Sequence, residues 1–496
     1  MTEDQVDQQI LELQRRVRTA VDPGGLLLQL GNLCLRHHRL DEALSAYRQV
    51  IDSRGVAATL CFNYGWFAKQ AGKPHLALDQ YARALAAGIR QPEEVHLNRS
   101  NVYSELLLDS GAALKELEIA LTLNPRYLSA WLNLGNLFEQ MGEVDRSRAA
   151  FVRCLELDPS NPVALARLAD STNFALDDDF ARSLERKLDM ISKTVREPDI
   201  HFALGRAAEQ QGRYSEAWTQ YSAANAIDRA IQPPYVRERI DQQVSRVIEL
   251  CDEKWLRQKS SAQVFAPVFI CGSFRSGSTL LEQILAAHPG FVPGGEQEFF
   301  PRLVDRYFPS YPDELIDVRA TRLSAWAKAY RSDIQVPLAR DAHFTDKRPD
   351  NLFYLGLIKA MFPRAKILVT LRDWRDSAIS IFSTRLSSRL PYATDISNIR
   401  HQLQAQDRLI RHWSALFKED MNIVRYESLA EDPEATLSPI LAMFGLSWDE
   451  RYLDFYKSNR PVRTASVLQV RSPMNRKSIG RWRRFESCVP VGFFDR

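Results

Sequence analysis

The sequence predicts two architectures in one chain: an all-α array of helical hairpins in the N-terminal half and an α/β domain with a parallel sheet in the C-terminal half. The first prediction rests on a 34-residue period, in which Gly31 and Tyr47 recur as Gly65 and Tyr81. The second rests on short apolar runs that are separated by helix-length segments. One of these runs leads through a glycine-containing loop into an amphipathic helix, which is typical of a ligand-binding strand end.

The overall composition indicates an ordinary globular protein with more than one domain. The chain has 496 residues, of which 45% are hydrophobic and 26% are charged, so it can build several cores. Its 65 basic and 62 acidic residues leave a net charge of +3, which gives no reason to expect nucleic acid or an acidic membrane as a partner. Any anion-binding site must therefore be local.

The cysteines and the N-terminal residues exclude further classes of protein. The six cysteines have no paired spacing, so they indicate neither a zinc site nor a disulfide framework. The first five residues are polar or acidic apart from Met1, and no stretch approaches the roughly 18 consecutive apolar residues of a membrane span. These features predict a cytoplasmic protein without a transmembrane segment.

The N-terminal half carries the repeats. Residues 1–22 are predicted to form a lead-in helix, because their apolar positions follow helical spacing. The array covers residues 23–231, where Pro125 and Pro159 are again 34 residues apart. The pattern weakens around residues 177–187 and resumes at Gly205. We count about six helical hairpins, one of them degenerate.

This pattern of small and aromatic residues resembles the tetratricopeptide repeat (TPR). The resemblance implies an all-α superhelix whose concave face suits a protein or peptide partner. A spacer or an oligomerisation arm, and with it a homodimer, is the alternative use of the array, because repeats alone do not identify a ligand.

A helical linker is predicted over residues 232–263. Pro233 and Pro234 end the last hairpin, because proline lacks a backbone donor and restricts the residue before it. Apolar residues at near-helical spacing follow, and the pattern stops at residues 259–262. The catalytic domain is therefore predicted to cover residues 264–496.

The loop at residues 272–277 is the clearest chemical signal in the chain. Residues 268–271 are predicted to form a buried strand and residues 278–287 a helix, so backbone N–H groups and the helix N-terminus converge on a site for a phosphate. The spacing matches a nucleotide P-loop, but Ser278 occupies the position of the lysine that reaches the β- and γ-phosphates. Hydrolysis of a nucleoside triphosphate is therefore disfavoured.

A second anion motif follows a later strand. Residues 365–371 are predicted to form a buried strand that leads directly into Arg372, and residues 421–426 another. Ser380 lies eight residues after Arg372, two turns into the next helix, so both side chains can face one phosphate. The alternative for Arg372 is a surface ion pair with Asp376 at the helix N-terminus.

The two motifs, in this order and about a hundred residues apart, resemble the phosphate motifs of sulfotransferases that use 3′-phosphoadenylyl sulfate (PAPS). The resemblance covers nearly all of residues 264–486 and is closest to tyrosylprotein sulfotransferases and bacterial TPR-linked sulfotransferases. It implies a P-loop-like α/β sulfotransferase domain, PAPS as the donor and no metal. The cofactor-binding residues that it implies are Ser273, Arg275, Ser276, Gly277, Ser278, Thr279, Arg372, Ser380, Tyr426, Ser466 and Arg481.

The same resemblance assigns the catalytic roles. The segment from Gly294 to Arg302 is similar to the one that carries the general base, which maps to Glu296 and less well to Glu298. Lys347 maps to the lysine that stabilises the transition state, and Arg275 is assigned the same task. A glutamate at the base position favours a protein or peptide tyrosine as the acceptor.

Other interpretations remain open. Glu296 and Lys347 can belong to surface turns, and the basic segment around Arg481 can be a solvated tail. A base at His288 or His343 would favour a carbohydrate or small-molecule acceptor. A kinase or NTPase and a non-enzymatic TPR scaffold are the alternatives from other classes.

Overall fold

The computed structural model describes residues 3–176, 178–334, 338–339, 342–458 and 469–495, and the single residues 460, 462 and 464. The chain divides into two compact units, Met1–Pro159 and Ser160–Arg496. Five of the six cysteines are buried, as expected for small apolar core residues. Within the described ranges, no helix is both long and apolar enough to cross a membrane.

The first unit is entirely helical. Its helices are α1 (Glu3–Thr19), α2 (Gly24–Arg36), α3 (Leu40–Arg54), α4 (Ala58–Gln70), α5 (Pro74–Ala86), α6 (Pro92–Glu105), α7 (Ser110–Leu123), α8 (Leu128–Met141) and α9 (Val144–Leu157). After α1, which occupies the predicted lead-in segment, consecutive helices pair as hairpins from α2 with α3 to α8 with α9. The predicted helical array is therefore confirmed.

Glycines and aromatic rings set the distance between the two helices of a hairpin. A Cβ atom added at Gly65 would lie 2.8 Å from the Tyr81 ring, and one added at Gly135 would lie 2.6 Å from the Phe151 ring. Both rings are buried. The aromatic side chain of the second helix thus lies against the bare backbone of the first. This explains why a glycine and an aromatic residue recur at the same spacing in successive repeats.

The second unit contains the remaining helices and one sheet. Its helices are α10 (Pro162–Asp170), α11 (Asp179–Ser192), α12 (Pro198–Gln210), α13 (Tyr214–Ile231), α14 (Arg237–Leu250), α15 (Glu253–Lys259), α16 (Ser278–Ala286), α17 (Phe299–Tyr307), α18 (Ala320–Asp333), α19 (Leu355–Met361), α20 (Trp374–Phe382), α21 (Ile396–Phe417), α22 (Tyr426–Glu431) and α23 (Pro433–Ala442). Its strands are β1 (Val268–Gly272), β2 (Phe291–Pro293), β3 (His343–Lys347), β4 (Lys366–Leu371) and β5 (Met421–Arg425).

The five strands form a parallel sheet in the order β2-β3-β1-β4-β5. Strands β1, β4 and β5 lie where the sequence predicts strands, which confirms the α/β prediction. Strand β3 was not predicted. Because all the strands are parallel, the carboxyl ends of β1, β3 and β4 lie at the same edge of the sheet. Ligands bind at this edge in α/β folds.

Helices α14 and α15 cover the predicted linker and are buried against the sheet domain. Val244, Val247 and Trp255 belong to the same hydrophobic core as Phe269 of β1 and Trp413 of α21. The segment is therefore helical, as predicted, and contributes to the core of the second unit. The division at residues 22, 231 and 263 stays a prediction.

Candidate active site

The phosphate loop runs from the end of β1 to the start of α16 and requires glycine at both ends. Gly272 has φ +138° and Gly277 has φ +97°. A Cβ atom would lie 2.3 Å from the Thr370 carbonyl oxygen at the first position and 2.9 Å from the Tyr426 ring at the second. The backbone can approach β4 and Tyr426 this closely only because both residues lack a side chain.

Serine hydroxyls hold the loop in shape. Ser276 Oγ donates to the Ser273 carbonyl at 2.6 Å and lies 2.7 Å from Thr370 Oγ1. Ser273 Oγ donates to Gln406 Oε1 at 2.8 Å. Since both serines are buried, these contacts fix the loop through groups inside the protein and do not use the surface of the loop that would face a ligand.

The first turn of α16 supplies further donors. Ser278 and Thr279 begin the helix and are buried, so their N–H groups lie at the positive end of the helix dipole. Thr279 Oγ1 donates to Thr464 Oγ1 at 3.3 Å. A serine at position 278 adds a hydroxyl but no charge, and positive charge at this site must come from other elements.

Three arginines provide that charge. Arg275, in the loop, has a pKa lowered to about 10, first by burial and then by the positive charges of Arg372 and Arg481. Burial also lowers the pKa of Arg372, against the opposing charge of Asp376. The charge of Arg481 lowers the pKa of both Arg275 and Arg372, and crowded positive charge of this kind is typical of an anion-binding site.

Arg372 follows β4 and braces the loop. Its Nη1 donates to the Arg275 carbonyl at 3.3 Å, and its Nη2 donates to the Ser478 carbonyl at 2.5 Å. Its guanidinium carbon lies 5.0 Å from the centre of the Tyr426 ring. In the part of the chain that the structure describes, its buried Nε has no hydrogen-bond acceptor, so one charged donor is available for an incoming anion.

Ser380, on α20, lies beside the loop arginine. Its Oγ accepts a hydrogen bond from Arg275 Nε at 3.1 Å. Asp373 caps the N-terminus of α20 by accepting from the Arg375 N–H at 2.9 Å, which orients the helix directly after Arg372. The structure therefore brings Arg275, Arg372 and Ser380 together, as the sequence predicted.

Lys347 and Glu296 form an ion pair at the same edge of the sheet. Lys347 ends β3, its side chain is fully buried, and its Nζ donates to Glu296 Oε1 at 2.5 Å. The Glu296 side chain is 34% exposed, so it can meet an acceptor from solvent. The Lys347 position pairs with Ile270 of β1, two residues before the phosphate loop begins.

Backbone contacts fix the loop that carries Glu296. The Gly294 N–H donates to the Thr345 carbonyl at 2.8 Å, and the Lys347 N–H donates to the Gly295 carbonyl at 2.9 Å. Gly294 packs so closely on β3 that an added Cβ would lie 2.5 Å from the Thr345 carbonyl oxygen. The Gly-Gly sequence therefore places Glu296 against the end of β3.

Glu282 is a site residue that the sequence analysis missed. It is buried on α16, and its Oε1 accepts from Thr345 Oγ1 at 2.8 Å and from the Gly295 N–H at 3.1 Å. Burial raises its pKa, although the positive charge of Lys347 opposes this. A single acidic residue within the buried apolar face of α16 was the available signal.

The other candidate bases lie in different surroundings. Glu298 pairs with Arg348 at 2.8 Å and with Arg389 at 3.1 Å. His288 Nδ1 accepts from the Gly290 N–H at 3.0 Å, a turn-forming contact. His343 starts β3, and Lys347 ends it, so about 13 Å of strand separates them.

Arg481 and Ser466 complete the predicted set. Arg481 Nε and Nη2 each donate to the Glu209 carboxylate at 2.6 Å. Ser466 lies outside the described residues. Within the described ranges, no group of three or more His, Cys, Asp or Glu side chains is arranged to hold a metal ion. The ligand contacts of all these residues stay predictions.

Comparison with known proteins identifies the parts of the chain. Residues 267–450 match the model of the Sulfotransferase family. Residues 28–92 and 128–171 match models of the tetratricopeptide repeat. The sulfotransferase match contains the phosphate loop, Glu296, Lys347, Arg372 and Ser380.

Curated relatives share parts of the chain. An uncharacterized protein of Aquifex aeolicus is 27% identical over 74% of this chain and 50% of its own length. Protein-tyrosine sulfotransferase 1 of Danio rerio is 26% identical over 43% of this chain and 65% of its own length. A protein-tyrosine sulfotransferase of Drosophila melanogaster is 26% identical over 43% of this chain and 46% of its own length. The chain thus spans less than two thirds of each of these relatives.

Among solved structures, the sulfotransferase domain of the Synechococcus PCC 7002 olefin synthase is 22% identical, with a TM-score of 0.35, over 45% of this chain and 90% of that domain. YrrB, described as a TPR protein with an unusual peptide-binding site, is 21% identical, with a TM-score of 0.29, over 37% of this chain and 91% of its own. The matches to family models thus fall on separate parts of the chain: residues 28–92 and 128–171 are similar to tetratricopeptide repeats, and residues 267–450 are similar to the sulfotransferase family.

Proposed function

We propose that the C-terminal domain transfers a sulfuryl group from PAPS to the hydroxyl of a tyrosine in a protein or peptide. The observation that carries the proposal is the ion pair of Lys347 and Glu296, at the sheet edge where the loop that carries Arg275 begins. The pair supplies a carboxylate open to an acceptor and a buried positive charge beside it. Both are needed where a hydroxyl loses its proton as a sulfuryl group arrives.

The residues of the site fit the donor nucleotide. Positive charge is concentrated at the loop by Arg275, Arg372 and Arg481. PAPS carries phosphate groups at the 3′ and 5′ positions of its ribose. The buried Nε of Arg372 has no acceptor within the described residues, and a phosphate oxygen would provide one. An unsatisfied buried donor costs roughly 1–3 kcal/mol, so satisfying it favours binding.

The chain's own groups divide the work of transfer. PAPS supplies a sulfuryl group that is already activated by its link to a phosphate. Glu296 accepts the proton of the acceptor hydroxyl, which its exposure permits. Lys347 and Arg275 offset the negative charge that develops on the transferring group. Ser380 orients Arg275 through its hydrogen bond.

A tyrosine acceptor is supported by those curated relatives that are described as protein-tyrosine sulfotransferases. A phenol has a pKa near 10, so a carboxylate can accept its proton only as the sulfur–oxygen bond forms. The repeats are proposed to bind the protein or peptide on their concave face. A cytoplasmic location, a homodimer and independence of metal ions remain predictions.

Two measurements on the full-length protein test this function. Calorimetric titration with 3′,5′-ADP should show micromolar or tighter binding, whereas ATP with Mg²⁺ should bind much more weakly. Incubation with PAPS and tyrosine-containing peptides should then give sulfated tyrosine, and added EDTA should not reduce its yield. Binding of ATP without binding of 3′,5′-ADP would contradict the proposal. Sulfation of carbohydrates alone would contradict the tyrosine acceptor.

A further inference from the structure

The last helical hairpin of the repeat pattern is embedded in the catalytic unit. Asn225, on α13, is buried, and its Nδ2 donates to the Phe382 carbonyl at the end of α20 at 2.8 Å. Trp218, also on α13, stacks on the Phe382 ring with a centroid distance of 4.6 Å. Helix α20 carries Ser380, so this hairpin supports an element of the proposed cofactor site.

A buried ion pair connects the same hairpin to the arginine cluster. Glu209, near the end of α12, accepts two hydrogen bonds from Arg481, each of 2.6 Å. The side chains are only 13% and 18% exposed, respectively. The Tyr221 hydroxyl donates to the same carboxylate at 2.8 Å. Burial raises the pKa of Glu209, but the charge and hydrogen bonds of Arg481 outweigh it, so the net pKa is lowered.

Arg481 is fixed along its whole length. On either side of it, the N–H groups of Gly480 and Trp482 donate to the buried Asp376 carboxylate at 2.7 and 2.9 Å. Its guanidinium is held by Glu209 and also donates from Nη2 to Ser383 Oγ at 2.9 Å. A bidentate contact fixes the plane of a guanidinium as well as its position.

The position in which Arg481 is held lies next to the phosphate loop. Ser383 follows Ser380 by three residues, about one turn of α20, and Ser380 accepts from Arg275. The two arginines therefore meet neighbouring hydroxyls one turn apart. Their charges act on each other, because the charge of Arg481 contributes to the lowered pKa of Arg275.

We propose that Glu209, a residue of the last repeat hairpin, is a positioning residue for the anion site: it holds Arg481 where its charge adds to those of Arg275 and Arg372. This inference rests on the proposed function for the identity of the nucleotide, but it concerns any anion bound at the cluster. Without the carboxylate, the buried guanidinium loses its partner and turns toward solvent. The cofactor site is therefore complete only when α12 is in place.

A double-mutant cycle on the full-length protein tests the proposal. The variants are Glu209→Gln, Arg481→Gln and the double variant, and the readout is affinity for 3′,5′-ADP by calorimetry. Glu209→Gln should weaken binding about three- to tenfold and Arg481→Gln by more. The double variant should bind no more weakly than Arg481→Gln, because Glu209 acts through Arg481. Glu209→Asp should restore part of the affinity.

Glu197→Gln is the matched control. Glu197 directly precedes α12, at the opposite end of the helix from Glu209, and pairs with Arg385 at 2.9 Å instead of Arg481, so this variant should bind 3′,5′-ADP like the parent. Unchanged or tighter binding by Glu209→Gln, or additive losses in the cycle, would overturn the proposal. Melting temperatures show which variants are folded. If Glu209→Gln does not fold, Glu209→Asp provides a milder change at the same position.

Pyrophosphate serves as a second probe in every variant. If the parent protein binds pyrophosphate but not 3′,5′-ADP, the proposed function fails, and the cycle measured with pyrophosphate still decides the role of Glu209. If the parent binds neither, the arginine cluster is not an anion site and both proposals fail. Binding of 3′,5′-ADP with no effect of Glu209→Gln refutes only the positioning role.

Discussion

Replacing Glu296 with glutamine removes the proposed base and keeps its shape. In the parent protein Glu296 Oε1 accepts from the fully buried Lys347 at 2.5 Å. The amide oxygen of glutamine can still accept this hydrogen bond, but the side chain can no longer take a proton. We therefore expect catalysis to be lost and nucleotide binding to be kept, because the residues proposed to bind phosphate lie on the loop, directly after β4 and on α20.

The size of each effect follows from the geometry. A missing general base costs about 10²–10⁴-fold in kcat, which corresponds to roughly 2.7–5.5 kcal/mol in the barrier. Breaking a buried ion pair costs about 3–5 kcal/mol when one charge is left uncompensated. Here Lys347 keeps a neutral acceptor and lies within the field of Glu282, so a loss of about 1–2 kcal/mol in stability is expected.

The assay is steady-state transfer from PAPS to a tyrosine peptide, combined with calorimetry of 3′,5′-ADP binding. Glu298→Gln is the control, because Glu298 pairs with Arg348 and Arg389 instead of Lys347, and it should keep turnover within a few-fold. A Glu296→Gln variant with parental turnover would refute the assignment. So would an equal loss in nucleotide binding, which would make Glu296 part of the binding site.

Three further predictions follow from other parts of the second unit. Arg372→Ala should weaken the binding of 3′,5′-ADP about 10- to 100-fold and the binding of adenosine 5′-phosphosulfate less, since a charged contact contributes roughly 1.5–3 kcal/mol. Equal losses of affinity in calorimetry would place Arg372 away from the 3′-phosphate. Gly277→Ala should lower the melting temperature and abolish nucleotide binding, because the new Cβ would lie 2.9 Å from the Tyr426 ring at φ +97°; an unchanged melting curve would contradict the close contact. Burial raises the pKa of Asp346 from 3.8 to about 7. Between these two values the folded protein holds a proton that the unfolded chain releases. The free energy of unfolding should therefore fall as the pH rises from about 4 to 7, by at most about 1.4 kcal/mol per pH unit. Asp346→Asn should reduce this slope in urea titrations at several pH values, the remainder coming from other buried carboxyls such as Glu282. An unchanged slope would assign it to another group.

The sequence was informative wherever structure is local. The run before Gly272, the serine and glycine spacing of the loop and the arginine after β4 predicted three strands, the first helix of the domain and the grouping of Arg275 with Arg372. The signals for the strands and the helix lie within about ten residues of the feature that they predict, and local backbone rules suffice for them. The grouping of Arg275 with Arg372, 97 residues apart, came from the resemblance to sulfotransferases.

Strand β3 was missed because its polar residues are satisfied by distant partners. Asp346 is fully buried, and its carboxylate accepts from the Tyr330 hydroxyl at 2.9 Å and from Asn351 at 3.1 Å. Lys347 is buried against Glu296 from another loop. An Asp-Lys pair in a sequence normally predicts an exposed turn, and only the tertiary structure shows that both charges lie inside.

The contact between Arg481 and Glu209 was equally hidden, because the two residues are 272 positions apart. A basic segment near the end of a chain has the same composition whether it is solvated or buried. The predicted linker posed the same problem, since the spacing of Val244 and Val247 indicates a helix but not the surface that buries it.

The packing of Asn225 and Trp218 against α20 has a practical consequence for module exchange. A designer who wishes to give the proposed transferase domain a different repeat array would be tempted to join the new repeats at Pro233 and Pro234, where the repeat pattern ends. That junction removes the hairpin whose side chains hold Phe382 and Arg481. A junction at Pro159, where the two compact units divide, retains it, so the portable module begins about 70 residues before the Pro233-Pro234 break.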